Sequence, residues 1–234
     1  MQQQTGSARS YELLLIAVIA ARATSFIFSK MILERLAPFN LLAVRFIIAF
    51  VLLALIFNKA VRSLAVRDLL AGTVIGTAFF ITMACEMIAL TQAASSLVSL
   101  LENCAIIFVP LLEILLYKKL PGKLTVISTG MAMLGVVLLA LGQGELSGGF
   151  TWGLAAGLCY AAAIIVTERL SHGSTATLGI GIVQVGTMGV LSFLAMLLTE
   201  TPQLPQSGSQ WLMLAMLIIV CTGFGFTLQP MAQS

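Results

Sequence analysis

Arg22, Arg45, Glu86 and Glu102 each stand inside a long apolar run. An ionisable side chain near the centre of a bilayer costs about 2.5–3.5 kcal/mol on insertion scales, so such residues face a cavity, a water path or an opposite charge. Counted at about 1.5 Å per residue from the ends of their runs, Arg22 and Glu102 lie roughly 15 Å and 13 Å below one membrane face, and Arg45 and Glu86 roughly 9 Å and 6 Å below it. Two pairs are therefore expected, Arg22 with Glu102 and Arg45 with Glu86. Two roles fit them: a site that binds a proton or a charged substrate group, or a buried ion pair that fixes helix register. Asn103 adjoins Glu102 but points about 100° away on a helix, and Gln184 falls where Arg45 does in a corresponding span; both are candidate cavity-lining donors. Trp152 and Tyr160 read as an interfacial anchor and a packing aromatic. Glu113, one turn from a span end, and His172, in a loop, read as solvated groups. The sequence holds no nucleophile paired with a base, no metal-ligand spacing and no phosphate-cradling glycine loop, so neither an enzyme nor a cofactor is expected.

The elements that must position these residues follow from composition. Of 234 residues, 59% are hydrophobic and 9% charged, with a mean hydropathy of +1.07, whereas a soluble domain carries roughly 25% charged residues. Too few polar side chains exist to cover a water-facing surface, which excludes a cytosolic enzyme, a nucleic-acid binder and a secreted disulfide scaffold. The lipid bilayer is the expected solvent. A spanning helix needs about 20 mostly apolar residues, and eight such runs occur, near 12–32, 39–57, 69–90, 94–117, 122–141, 148–168, 176–198 and 211–230. The four cysteines, Cys85, Cys104, Cys159 and Cys221, lie inside these runs at no ligand spacing and read as packing residues. Gly72 and Gly76, and Gly149, Gly153 and Gly157, have the GxxxG spacing of close helix contact within one chain. Pro110 predicts a bend in the fourth run.

Lys and Arg in the short loops orient the chain. Arg9, Lys59, Arg62, Arg67, Lys118, Lys119, Lys123 and Arg169 fall on one side, and Lys30 and Arg35 on the other. This predicts a cytoplasmic N-terminus in a multi-pass protein of, most simply, a bacterial inner membrane. The net charge of +3 is a topology signal and calls for no nucleic-acid partner.

An internal repeat is visible. Met31-Ile32-Leu33-Glu34-Arg35-Leu36 closes the first run as Ile165-Val166-Thr167-Glu168-Arg169-Leu170 closes the sixth, and Ala89 to Ser95 after the third run parallels Met231 to Ser234 after the eighth. The unit is five spans, an odd number, so the second copy enters the membrane inverted, as in secondary transporters. The boundaries are a tail at 1–11, a first repeat at 12–145 and an incomplete second repeat at 146–234. The offset predicts ten spans in roughly 280 to 290 residues, so the chain reads as truncated by about 50.

Ala89-Leu90-Thr91-Gln92-Ala93-Ala94-Ser95-Ser96-Leu97-Val98-Ser99-Leu100-Leu101, then Pro110-Leu111-Leu112 and Gly130 to Leu138, with Pro38 and Val44-Arg45-Phe46, resemble the signature of EamA-type carriers of the drug/metabolite transporter superfamily. The resemblance implies an all-α polytopic membrane protein, here eight helices of a ten-helix bundle of two inverted five-helix repeats. It implies a secondary transporter of small metabolites, amino-acid or drug-like solutes, moved outward by alternating access with proton or solute coupling. Arg22, Glu102, Asn103, Arg45, Glu86 and Gln184 are the candidate substrate-binding or coupling residues, with the small-molecule substrate as partner. A non-transporting fragment or partner-dependent subunit is the alternative, and the oligomeric state is left open.

Overall fold

The computed structural model describes residues 24–117, 122–142, 148–171 and 176–224. Among the described residues the regular structure is entirely helical. Helix α1 covers Thr24–Leu33, followed by α2 (Pro38–Ile56), α3 (Asn58–Arg62), α4 (Val66–Gln92), α5 (Ser95–Asn103), α6 (Ala105–Tyr117), α7 (Lys123–Gly142), α8 (Gly148–Ser171), α9 (Thr177–Thr199) and α10 (Gly208–Met216), which runs on as a π-helical stretch at Leu217–Phe224. Among the described residues each expected apolar run coincides with helix. Five of them, Pro38–Ile56, Val66–Gln92, Ser95–Leu116, Gly148–Ser171 and Thr177–Thr199, are long and apolar enough to cross a membrane.

Helix ends are set by local chemistry. Asp68 reaches back from the first turn of α4, its Oδ2 accepting from Ala65 N at 3.1 Å, which satisfies one of the orphan donors of a helix start. Ser207 and Gln210 form a capping box at α10: Ser207 Oγ accepts from Gln210 N at 3.3 Å, and Gln210 Oε1 accepts from Ser207 N at 3.2 Å. At the opposite kind of end, Lys30 Nζ donates to the Leu90 carbonyl and to Ala93 O at 3.0 Å, placing a cation on the negative pole of α4.

The fourth span departs from expectation. A bend at Pro110 is predicted from sequence; α6 runs through Pro110, and the span is also interrupted at Cys104, between α5 and α6. At this point two side chains return to their own helix. Asn103 Nδ2 donates to Ser99 O at 2.7 Å and Cys104 Sγ to Leu100 O at 3.4 Å. Cys104 N meanwhile donates one residue short of the helical pattern, to Leu101 O at 3.1 Å. Side chains that compete for the carbonyls in this way loosen a helix.

Helix α4 lies between the two later long helices, packing on α8 and α9, while α2 packs on α9 and on the π-helical stretch, and α5 and α6 pack on α8. The GxxxG glycines of α4 and α8 sit at these crossings. A Cβ on Gly76 would stand 2.7 Å from Gln184 O on α9, and one on Gly157 would stand 2.5 Å from Leu101 O on α5. The close-packing role expected of these glycines is met within the chain: backbones touch where no larger residue fits. The buried core gathers Leu41, Phe46, Ile75, Phe79, Met87 and Ile182. Leu55, Val66, Met131, Leu138, Leu198 and Leu212 stand exposed on the outside, an apolar belt that suits lipid.

The contacts also sort the ends. The start of α9 lies against the segment after α2, with Gly179 beside Ala60 O and Leu64; Lys59, Arg62 and Arg67 belong to that end, and Arg169, in the last turn of α8, joins them because α8 runs antiparallel to α4. Lys30 and Arg35 belong to the other, where Gly149 of α8 meets Ala93.

Gly76→Leu and Gly157→Leu are each expected to destabilise the fold by about 1–3 kcal/mol through overpacking. Gly130→Leu, at a position where a Cβ meets no heavy atom within 4 Å, should melt like the parent. Size-exclusion profiles and thermal melts in detergent decide this, and equal tolerance of all three would reject the crossings described.

Candidate functional site

Of the expected ionisable residues, Arg45, Glu86 and Glu102 are described, and all three are buried. Arg22 lies outside the described residues, so its pairing with Glu102 does too. Glu102 stands in the last turn of α5, buried to 2% exposure, directly beneath α8: a Cβ on Gly157 would lie 3.5 Å from its Cα. Glu86 is buried on α4 and Arg45 on α2. The Arg45 guanidinium lies 5.2 Å from the centre of the Phe46 ring, and its Nε donates to Thr222 Oγ1 at 2.9 Å. Thr222 Oγ1 in turn donates to Leu217 O at 3.0 Å, five residues back, so the hydroxyl joins the buried cation to the π-helical stretch. π-Helical insertions recur at functional positions in membrane and soluble helices alike. Gln184 is buried on α9, its carbonyl against Gly76.

Asn103 differs from its neighbour. It is exposed and lines a cavity of about 790 Å³ between α5 and α6, α7, and α8. Thr125, Ser128 and Thr129 bring hydroxyls to the same space, while Leu100, Ile107 and Val109 make apolar wall. Tyr160, expected to be a packing aromatic, stands at the cavity margin and also packs edge-on against Phe79, with ring centres 6.0 Å apart. Trp152, expected at an interface, is 41% exposed on the first turns of α8. A cavity of this volume, apolar with a few convergent polar groups, has the dimensions of a small-molecule site.

A second polar constellation is not anticipated by any motif in the sequence. The N-terminus of α2 has no cap of its own, because Ala37 precedes it and Pro38 opens it. Glu200, at the far end of α9, supplies one: its Oε1 accepts from Phe39 N at 3.0 Å and its Oε2 from Asn40 N at 2.9 Å. Asn40 Nδ2 donates to Glu200 Oε2 at 2.8 Å and to Thr201 O at 3.0 Å, and Asn40 Oδ1 accepts from Gln203 N at 2.6 Å. A carboxylate on a helix N-terminus gains from both the free N–H groups and the helix dipole. The one signal in the sequence is the missing cap: a helix opening Ala-Pro with no Ser, Thr, Asp or Asn before it needs an acceptor from elsewhere.

Lipid-facing apolar helices, glycine-tight crossings and a mid-span cavity beside a broken helix define an integral multi-pass membrane protein. The comparison with known families agrees: the EamA-like transporter family matches residues 9–141. That is more than half of the chain, and the chain belongs to this family, whose members are membrane transporters of small solutes. A search of curated proteins gave no match.

Glu200→Ala and Asn40→Ala are each expected to lower stability by about 1 kcal/mol, as for the loss of a helix cap. Because they share one network, the double variant should lose clearly less than the sum. Thermal melts of the four proteins in detergent measure the coupling; strict additivity would show that the two side chains act independently.

Proposed function

We propose that this chain is a secondary carrier that moves small metabolites, amino-acid or drug-like solutes, outward by alternating access. The observation that carries the reading is the family match over the first five apolar runs. The helix contacts support it. If residues 12–145 and 146–234 are inverted copies, α2 and α9 are counterparts, as are α4 and the α10 helix with its π-helical continuation. A two-fold axis in the membrane plane then maps the α2–α9 contact onto itself and the α4–α9 contact onto that between the π-helical stretch and α2. Both contacts occur, and this is the architecture of carriers with a site at the repeat interface. The clustering of Lys59, Arg62, Arg67 and Arg169 at one end of the bundle favours a cytoplasmic N-terminus in a bacterial inner membrane.

In this reading the buried charges do the coupling. Glu102 sits where α5 ends and α8 crosses, a boundary between the two copies, so binding and releasing a proton there would bias the crossing. Arg22 is its counter-charge. Arg45 and Glu86 hold α2 and α4 in register around the centre, and Gln184 donates from the counterpart position on α9.

The test is solute efflux from proteoliposomes holding the purified full-length chain under an imposed pH gradient, across a panel of amino acids and drug-like amines. The expected outcome is gradient-driven movement of at least one solute by the parent and a loss of roughly tenfold or more in Glu102→Gln, whose size-exclusion profile and melting temperature stay like the parent's. An unfolded Glu102→Gln would assign the carboxylate to structure instead. Movement of no solute by the parent would favour a subunit that works only with a partner.

A further inference from the structure

Helix α7 has two unlike faces. Val126, Ile127, Met131, Leu134 and Leu138 are exposed on the outer one. Thr125, Ser128, Thr129, Ala132 and Gly135, spaced three and four residues apart, form the stripe that lines the cavity. Small residues in such a stripe ordinarily receive another helix in lipid, but a Cβ on Gly135 meets no heavy atom within 4 Å. At Gly135 the stripe faces open space, while Ala132 packs on the cluster of Leu97, Leu101, Cys104 and Ile107.

The polar groups around that space are uncharged. Ser128 Oγ donates to Thr125 O at 3.0 Å, which leaves the lone pairs of its own oxygen for another donor. Across the cavity, Asn103 spends one N–H on Ser99 O and keeps a second N–H and the Oδ1 oxygen. Next to it, Pro110 brings no N–H to the Ile106 carbonyl one turn back, and both residues line the cavity. No lining residue among those described is charged.

Each class of occupant can be weighed on these groups. A hydrocarbon chain would leave the second Asn103 N–H, its Oδ1 oxygen and the Ile106 carbonyl without a further donor or acceptor, at a cost of about 1–3 kcal/mol for each group kept from water. A carboxylate or ammonium would lose its hydration with no counter-charge in the described wall, which costs several kcal/mol more. A molecule with an apolar body and one neutral hydrogen-bonding head meets both parts of the lining. A volume of about 790 Å³ holds a compound of drug size.

We propose that this cavity is the binding chamber for an uncharged amphipathic solute, its alcohol or amide head between Asn103 and the Thr125–Ser128–Thr129 cluster and its aliphatic or aromatic body against Leu100, Ile107 and Val109. The proposal rests on the carrier reading above and narrows its substrate class. The binding step is non-covalent and needs no co-reactant.

The test uses the full chain in lipid nanodiscs and an aliphatic alcohol carrying a diazirine, here azi-octanol, with labelled positions mapped by peptide mass spectrometry. Labelling should saturate, concentrate on residues 103–110 and 125–136, and be prevented by excess octanol or octanamide but not by octanoate or octylammonium. Asn103→Leu and Gly135→Phe should each weaken saturable labelling roughly tenfold. Gly135→Phe enters open space, so its size-exclusion profile should match the parent's and a loss of labelling cannot be read as unfolding. Non-saturable labelling spread equally over the outer residues Val126 and Leu134 would overturn the chamber in favour of a lipid groove. Equal protection by octanoate or octylammonium would overturn the neutral class, and high-yield intermolecular disulfide formation by Gly135→Cys would assign the face to a second copy. Saturable labelling in a chain that moves no solute in proteoliposomes would uphold the chamber and reject the carrier reading; transport without labelling would do the reverse.

Discussion

Helices dissolved in lipid gain little from hiding apolar side chains against one another, because the tails around them are as apolar as leucine. What holds this bundle is the distance of approach that glycine permits, and α4 is where those approaches converge. Gly72 and Gly76 let α9 lie on its first half, and Gly149 of α8 closes on Gln92 and Ala93 at its far end. Gly153 and Gly157, further along the same face of α8, then carry α5 against Leu101 and Glu102. The depth and neighbours of Glu86, Glu102 and Gln184 follow from this one sequence of backbone contacts.

Polar groups in the bundle are handled in two ways. Ionisable ones lie under helix crossings or tie one helix to another, as Arg45 does through Thr222. Neutral ones gather where a helix is interrupted or where small residues line open space, as around Asn103 and Thr129. The division makes physical sense. A buried charge needs a fixed partner, whereas a hydroxyl or amide can wait for an exchangeable one at far smaller cost.

The spans, the glycine crossings and the sorting of Lys and Arg were legible in the sequence because each is a property of one run or one spacing. Glu102 and Arg45 stood out as soon as the runs were drawn, since a charge inside a long apolar run is too costly to stand there without a cavity or a partner. The break at Cys104 was not legible, because the back-bonding of Asn103 and Cys104 beside it depends on side-chain geometry. Thr222 gave no sign either, because its part depends on an arginine 177 residues away in the chain. Glu200 and Asn40 were missed for the same reason. Their link exists only once α2 and α9 lie antiparallel, and no periodicity within either helix encodes it.

That link has a mechanical consequence. Helices α2 and α9 are riveted together at one end by the Glu200 carboxylate and the Asn40 amide, and at the other α9 presses on the segment that follows α2, where Gly179 admits Ala60 of α3 and Leu64 beyond it. Between those points Gly186 takes the Phe50 ring and Gly189 meets the backbone at Phe46 and Ile47. A pair fixed at both ends and interlocked along its length resists both shear and splaying, so it behaves as a beam. Bending in this molecule is left to the parts with interrupted backbones: the joint at Cys104 and the π-helical stretch that Arg45 ties to the beam.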